Sequence, residues 1–299
     1  DEDGTLYMTN NDEGWVAEIF PNGQIRYISP GGMILPQGLA VMPGVDNRDM
    51  LFEADLFRLR QFNGTNGQQE NIYKGFLINP TFDLPILPMN ISVAGNNLVV
   101  SSWFSGAVQL WDVTTNPPTV IEGNTYPMPQ PIDAVQINDN IIVSDFELGG
   151  VVNASDGNSL IKGLNAASGL ATDGDKLWAA DQKTGDIWLI GFNPPSETLI
   201  ASGLKGPEGL ALDNEGRLLV VEADPSANRL SRIDDPFSPT YTPRDNVTVL
   251  AEGLDLFGPG LGVPPTWGFD GVAVGPSGDI YLSGAGATVV YKITANKVR

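Results

Sequence analysis

A short apolar strand that ends in a polar or acidic residue returns seven times along this chain. The copies are LYMTN from Leu6, MLFEAD from Met50, LVVSSW from Leu98, IIVSDF from Ile141, LWAAD from Leu177, LLVVEAD from Leu218 and IYLSG from Ile280. Most of them follow a segment such as GLAV, GLAT or GLAL and a small turn. A unit of about 40–50 residues with about four short strands is typical of a β-propeller. The repeat therefore predicts an all-β propeller.

The number of blades depends on how the repeat is counted. We label the strands of each unit a to d from the central axis outward. The first unit has no strand a, the last has no strand d, and the five between them are complete. Seven copies of strand b favour seven four-stranded antiparallel blades, closed by a strand borrowed from one terminus. Six blades are the alternative and would leave a terminal hairpin outside the ring. We expect residues 1–299 to form a single domain.

Composition removes several classes of function. The formal net charge is −20 with 16 basic residues, which disfavours nucleic acid and anionic membrane surfaces as partners. No apolar run is long enough for a transmembrane helix, so membrane insertion is not expected. Cysteine and histidine are absent, which excludes disulfides, thiolate metal sites and histidine-based catalysis. Because the sequence starts almost directly in a strand, we expect a secreted or periplasmic monomer whose signal peptide has been removed.

Polar side chains recur just before strand a and just after strand b, and these two points lie on the same face of a propeller. Before strand a the residues are Gln37, Asn90, Asp133, Ser168, Glu208 and Asp270. At the ends of strand b they are Asn10, Glu53, Asp55, Ser102, Asp145, Glu147, Asp181, Glu222 and Asp224. Hard cations such as Ca²⁺ prefer such oxygen ligands. One hypothesis is a divalent metal site formed by Asn90, Asp133, Glu208 and Asp270. The alternative is that these residues cap turns and bind backbone amides.

Two segments carry a family resemblance. GPEGLALDNEGRLLVVEAD (206–224) and FDGVAVGPSGDIYLSG (269–284) resemble the gluconolactonase/senescence-marker-protein (regucalcin) type of propeller, and NHL-type propellers share the same pattern. The resemblance implies a metal-dependent lactonase or esterase with six blades. Glu208 matches the glutamate of its Pro-Glu-Gly turn, Asp270 the aspartate of its Asp-Gly turn, and Asn90 its asparagine by position. The order of these turns, the seven units and the Asn-Ile-Ser at Asn90 depart from the pattern.

A metal-dependent lactonase or esterase of this kind would use the divalent ion to polarise a lactone or ester carbonyl, and a carboxylate would take a proton from water. The candidates for that catalytic carboxylate are Asp133, Asp145 and Asp181. The candidates for substrate binding at the channel face are Gln37, Glu53, Trp103, Phe146 and Trp267. One alternative is a non-catalytic propeller that binds a protein, glycan or small ligand, with any metal structural. A lyase or isomerase is a second alternative, although antibiotic-inactivating lyases on seven-bladed propellers rely on histidine.

Overall fold

The structure is a computed structural model that describes residues 6–10, 15–30, 32–44, 48–56, 58–74, 85–192, 194–239, 246–256 and 268–294. Within these ranges the chain forms 26 strands in seven antiparallel sheets. These strands confirm the all-β prediction. No helix in the same ranges could span a membrane.

Six of the sheets are blades of one ring, and each follows the chain from its innermost strand outward. Blade 1 contains β4 (Pro36–Pro43), β5 (Asp49–Asp55), β6 (Arg58–Asn63) and β7 (Gln69–Lys74). Blade 2 contains β8 (Asn90–Ala94), β9 (Asn97–Ser102), β10 (Ala107–Asp112) and β11 (Thr119–Pro127). Blade 3 contains β12 (Pro131–Ile137), β13 (Asn140–Asp145), β14 (Gly150–Asn153) and β15 (Ser159–Lys162). Blade 4 contains β16 (Ala167–Thr172), β17 (Lys176–Asp181), β18 (Asp186–Phe192) and β19 (Pro195–Ala201).

The last two blades close the chain. Blade 5 contains β20 (Pro207–Leu212), β21 (Leu218–Glu222), β22 (Arg229–Ile233) and β23 (Val247–Glu252). Blade 6 has three strands in the described part of the chain, β24 (Val272–Val274), β25 (Ile280–Gly284) and β26 (Val289–Ile293). The remaining strands, β1 (Leu6–Asn10), β2 (Trp15–Ile19) and β3 (Ile25–Pro30), pair with one another in a separate N-terminal sheet.

The ring closes with six blades. The innermost strands β4, β8, β12, β16, β20 and β24 contact one another in sequence, and β24 contacts β4. At that closing seam the Gly271 amide donates a hydrogen bond to the Gln37 carbonyl (3.1 Å). The preference for seven blades was wrong because it counted copies of strand b. Only a strand a can line the channel, and the first unit, which forms the N-terminal sheet, does not have one.

The core lies between adjacent blades. Between blades 4 and 5, for example, Trp178, Ile187 and Ile200 pack against Leu218 and Val220. Strand b is covered on both faces, which is why all five residues of β21 are buried. Continuous apolar runs such as LLVV, which do not alternate with polar residues, are what a strand buried on both faces requires.

Candidate ligand site in the central channel

The pairing register between strands a and b identifies equivalent residues in all six blades. The residues of strand a that pair with the middle of strand b are Leu39, Ile91, Ala134, Leu170, Leu210 and Val272. The residues directly before them are Gly38, Asn90, Asp133, Gly169, Gly209 and Gly271. Four blades thus have glycine at this position, whereas blades 2 and 3 have Asn90 and Asp133.

The glycines allow neighbouring innermost strands to approach closely. A Cβ atom on Gly209 would lie 2.6 Å from the Asp270 carbonyl oxygen, and one on Gly271 would lie 2.8 Å from the Gln37 carbonyl oxygen. Real Cβ atoms essentially never come this close to backbone atoms. Asn90 and Asp133 therefore interrupt a position that packing otherwise restricts to glycine. Residues that break a structural repeat in this way are candidates for function.

Both residues line a cavity of about 240 Å³ along the channel axis. Most lining residues have apolar side chains, including Leu39, Leu170 and Phe269, but polar atoms make up more of the exposed cavity surface than apolar atoms do. Exposure rises along the innermost strands, from 4% at Asn90 to 40% at Val93. The channel consequently opens at the face where strand a ends, and Asn90 and Asp133 lie at its closed end. We call these two residues the channel floor.

The two floor residues differ in how their polar atoms are satisfied. Asn90 Oδ1 accepts a hydrogen bond from the Ile91 amide (2.9 Å), but Asn90 Nδ2 is buried and has no hydrogen-bond partner among the described residues. Asp133 Oδ1 accepts from the Ala134 amide and Oδ2 from the Leu170 amide, both at 2.8 Å. Burial raises the pKa of Asp133 to about 7, and the two amide hydrogen bonds offset only part of that rise. The floor therefore offers a donor without an acceptor beside a carboxyl group that titrates near neutral pH.

The other two candidate catalytic residues hold backbone together. Asp145 Oδ2 accepts from the Gln130 amide and Oδ1 from the Leu148 amide, both at 2.9 Å. Asp181 Oδ2 accepts from the Asn165 amide (2.7 Å) and Oδ1 from the Ala166 amide (3.1 Å). Burial raises the pKa of Asp145, against the lowering effect of its amide donors. Both carboxylates tie the end of strand b to the segment that enters strand a, and neither lines the channel cavity.

Glu208 and Asp270 link blades 4, 5 and 6. Glu208 Oε1 accepts from Gln182 Nε2, and its Oε2 accepts from the Asp270 amide, both at 2.7 Å. Asp270 Oδ1 accepts from the Ala285 amide (2.9 Å). Burial, and then the charge of Asp270, raise the pKa of Glu208 well above its usual range.

The four predicted metal ligands each contact protein groups in the described structure, and the metal site stays a prediction. Asn90 and Asp133 occupy the position that is glycine in the other four blades. Glu208 and Asp270 come one residue before that position in their own blades. Oxygens of all four already accept hydrogen bonds from protein groups. Over the described ranges no three acidic side chains are grouped so that they could hold an ion.

Among the predicted substrate-binding residues, Gln37 and Glu53 are buried, at 2% and 0% exposure. Trp103 and Phe146 are partly exposed, and neither lines the channel cavity. The Trp103 ring contacts Phe104 edge to face, with ring centres 4.8 Å apart. Trp267 lies outside the described residues.

Glu53 has the least satisfied environment of these side chains. Among the described residues, neither carboxylate oxygen has a hydrogen-bond partner of good geometry, and the Gln37 amide is the only backbone donor close enough to favour the charged form. Burial, followed by the charge of Asp55, raises the pKa of Glu53 well above its usual range, and Asp270 adds to the rise. The nearby Gln37 amide and Arg60 offset part of it. An alignment of the blades could have identified Glu53 from the sequence, because the equivalent residue of strand b is apolar in the other five blades. These residues are Val100, Val143, Ala179, Val220 and Leu282.

Comparison with known proteins supports the fold. No protein-family model matches the chain, and no curated protein matches it. A streptogramin B lyase structure is 15% identical, with 99% of this chain and 91% of the lyase covered and a TM-score of 0.55. Virginiamycin B lyase from Staphylococcus aureus is also 15% identical, with coverages of 98% and 85% and a TM-score of 0.54. The WD40 propeller domain of Doa1 is 12% identical, with coverages of 99% and 90% and a TM-score of 0.52.

These similarities identify the chain as a β-propeller. At 12–15% identity they show the fold alone. They do not single out the gluconolactonase or NHL type that the two sequence segments resemble.

Proposed function

We propose that this propeller binds a small molecule in its central channel, with Asn90 and Asp133 as the polar groups that orient it. The observation that carries this proposal is the buried Asn90 Nδ2, which has no acceptor and belongs to a residue lining the cavity. Leaving a buried donor unsatisfied costs about 1–3 kcal/mol. A ligand oxygen at this point would remove that penalty.

The lining restricts the chemistry of the ligand. The channel has mostly apolar side chains around a few convergent polar groups, and its exposed surface is more polar than apolar. Its volume of about 240 Å³ lies below the range of about 300–1,000 Å³ that is common for small-molecule sites, so the ligand must be small. Asn90 Nδ2 needs an acceptor, such as a carbonyl or hydroxyl oxygen. Asp133, when ionised, accepts from a hydroxyl, amide or ammonium group. An anionic ligand is disfavoured by Asp133 and by the net charge of −20.

A thermal-shift screen of small neutral and cationic compounds, followed by calorimetry on each hit, tests the proposal. The diagnostic variants are Asn90→Gly and Asp133→Gly, which restore the glycine found in the other four blades. The matched control is Asn158→Ala in an exposed turn of blade 3. We expect binding at least tenfold weaker in both floor variants and unchanged in the control. Hits that bind the floor variants as tightly as the unmodified protein would refute the assignment.

A second candidate function is acid–base catalysis in the same channel, and the observation that favours it is the pKa of about 7 for Asp133. A general acid or base works best when its pKa lies near the working pH. The virginiamycin B lyase with a histidine replaced by alanine is described as catalytically inactive and holds quinupristin. This chain has no histidine, so proton transfer here would rest on Asp133.

The two candidates are separated by product analysis. Each compound that binds is incubated with the protein, and the mixture is examined for eliminated, isomerised or hydrolysed product. Turnover that is lost in Asp133→Gly and retained in Asp145→Ala, with a midpoint near pH 7, supports catalysis. If the ligand is recovered unchanged after long incubation, the protein binds it without catalysing a reaction. The divalent-metal lactone hydrolase expected from the sequence stays a prediction, since no observation on the described residues supports it.

A further inference from the structure

A second cavity, of about 480 Å³, lies between blades 3 and 4. It sits where the last residues of β12 and the first residues of β17 meet, so it opens on the same face as the channel but farther from the axis. We call it the blade 3–4 cleft. Its volume falls within the range of about 300–1,000 Å³ that is common for small-molecule sites.

The base of the cleft is apolar and is packed against the core between blades 3 and 4. Ile137 and Ile142 are buried at 4% and 2% exposure, and both belong to the cluster that packs blade 3 against blade 4. Leu160 and Phe192 are partly buried against the same cluster. Phe192 therefore presents part of an aromatic ring at the base of a polar cleft, supported from behind by the core.

The rim on blade 3 is formed by asparagine side chains. Asn140 Oδ1 accepts a hydrogen bond from Asn153 Nδ2 (3.1 Å), and Asn153 Oδ1 accepts from the Ser155 amide (3.0 Å). This chain of contacts fixes both amide planes and leaves Asn140 Nδ2 as a donor toward the cleft. Asn138 has a positive φ of 53°, and its side chain makes no hydrogen bond with any described residue. Blade 3 thus contributes donors and an acceptor that the protein itself does not use.

The rim on blade 4 is formed by Asp175, whose carboxylate has no ion pair or hydrogen bond among the described residues. The Lys176 ammonium group is engaged elsewhere: Nζ lies 4.6 Å from the centre of the Phe237 ring, which packs against Trp178 on the side of blade 5. Blade 4 therefore offers the cleft a carboxylate that the described residues do not use.

We propose that the blade 3–4 cleft binds a neutral, polyhydroxylated ligand, namely a short saccharide. Each hydroxyl group both donates and accepts, which matches a rim that offers asparagine amides and a carboxylate. The C–H face of a sugar ring can cover the exposed part of Phe192. An anion would meet Asp175 and the overall negative charge, and a bare cation would leave the asparagine amide donors without an acceptor.

The test is a ¹H–¹⁵N NMR titration of the full chain with maltose, cellobiose, lactose and chitobiose at millimolar concentration. The diagnostic variants are Asn138→Gly and Asp175→Ala, both at exposed positions where the fold is expected to persist. Glycine is used at Asn138 because a φ of 53° disfavours alanine. The matched control is Asn214→Ala, an exposed asparagine in the equivalent turn of blade 5. Asn90→Gly serves as a second control, because it alters the channel and leaves the cleft intact.

At least one disaccharide should shift the amide signals of residues 138–140, 174–176 and 192. Its affinity should fall at least tenfold in both diagnostic variants and stay unchanged in both controls. The proposal is overturned if no disaccharide shifts these signals, if the shifts map to the channel, or if Asn138→Gly and Asp175→Ala bind as the unmodified protein does. Tighter binding of a glucuronide-containing disaccharide than of its neutral counterpart would overturn the assignment to neutral ligands.

Discussion

Replacing Glu53 with methionine should stabilise this protein, and the gain should grow with pH. Glu53 is fully buried, and among the described residues neither oxygen has a hydrogen-bond partner of good geometry, with only the Gln37 amide nearby. The same position is aliphatic in the other five blades. Methionine has the same unbranched length and adapts to irregular surroundings. Burying a polar group without a partner costs about 1–3 kcal/mol, and exchanging buried charge for apolar packing often stabilises by about 1–4 kcal/mol. We therefore expect a gain of about 2–4 kcal/mol at neutral pH.

The pH dependence has a definite sign. The pKa of Glu53 in the folded state is raised above its usual value of 4.5, chiefly by burial. The folded state therefore holds this proton more tightly than the unfolded state. As the pH rises from about 4.5 toward the folded pKa, the wild-type protein loses up to about 1.4 kcal/mol of unfolding free energy per pH unit from this group. A methionine side chain does not titrate, so the difference between the two proteins should be small near pH 4.5 and should widen above it.

The assay is guanidinium unfolding of the wild type, Glu53→Met and Glu53→Gln at pH values from 4.5 to 8. Glutamine removes the titration but keeps a buried polar group, so it separates the two contributions. In thermal melts a gain of 2–4 kcal/mol corresponds to about 3–6 °C for a domain of this size. A Glu53→Met protein that is less stable than wild type at every pH, or a difference that does not change with pH, would refute the reasoning.

Three further substitutions test the packing of the ring. Gly209→Ala should destabilise by about 3 kcal/mol or more in urea unfolding, because its Cβ would lie 2.6 Å from the Asp270 carbonyl oxygen, whereas Gly32→Ala, with open space around it, should change little. Trp178→Phe should lower the free energy of unfolding by about 1–3 kcal/mol, because Trp178 Nε1 donates a hydrogen bond to the Pro236 carbonyl at 2.7 Å. An unchanged midpoint of urea unfolding would mean that this hydrogen bond is not formed. Asp181→Ala should lower the free energy of unfolding by about 2–4 kcal/mol and leave ligand binding in the channel unaffected, because its carboxylate accepts hydrogen bonds from four backbone amides. A loss of binding with full stability would show a functional role instead.

The strands were readily predicted from the sequence because their pattern is local. The LWAAD copy predicts β17, and β17 indeed spans Lys176–Asp181. The blade number was harder, because it depends on which strands reach the axis. The first unit has the hairpin pattern of a blade but lacks the innermost strand, and a count of strands b does not register that difference.

The candidate site was only partly predictable. Asn90 and Asp133 were singled out as polar residues near the start of strand a, but they were grouped with Glu208 and Asp270, which lie one position earlier. A bulge near the start of strand a, as between Pro131 and Asp133 and between Pro207 and Leu210, changes which way each side chain points. The sequence does not reveal these bulges. Aligning the glycine positions of all blades would have isolated Asn90 and Asp133 without the structure.

The central claim is that Asn90 and Asp133 form the polar end of a ligand site, and carboxyl and side-chain amide NMR tests it most directly. In the free protein the Asp133 carboxyl carbon should titrate with a midpoint near pH 7. A compound captured in the channel should shift that midpoint and also shift the Asn90 Nδ2–H signals, while the carboxyl signals of Asp145 and Asp181 stay in place. Captured compounds that move the signals of Asp145 or Asp181, and leave Asn90 and Asp133 unchanged, would contradict the account.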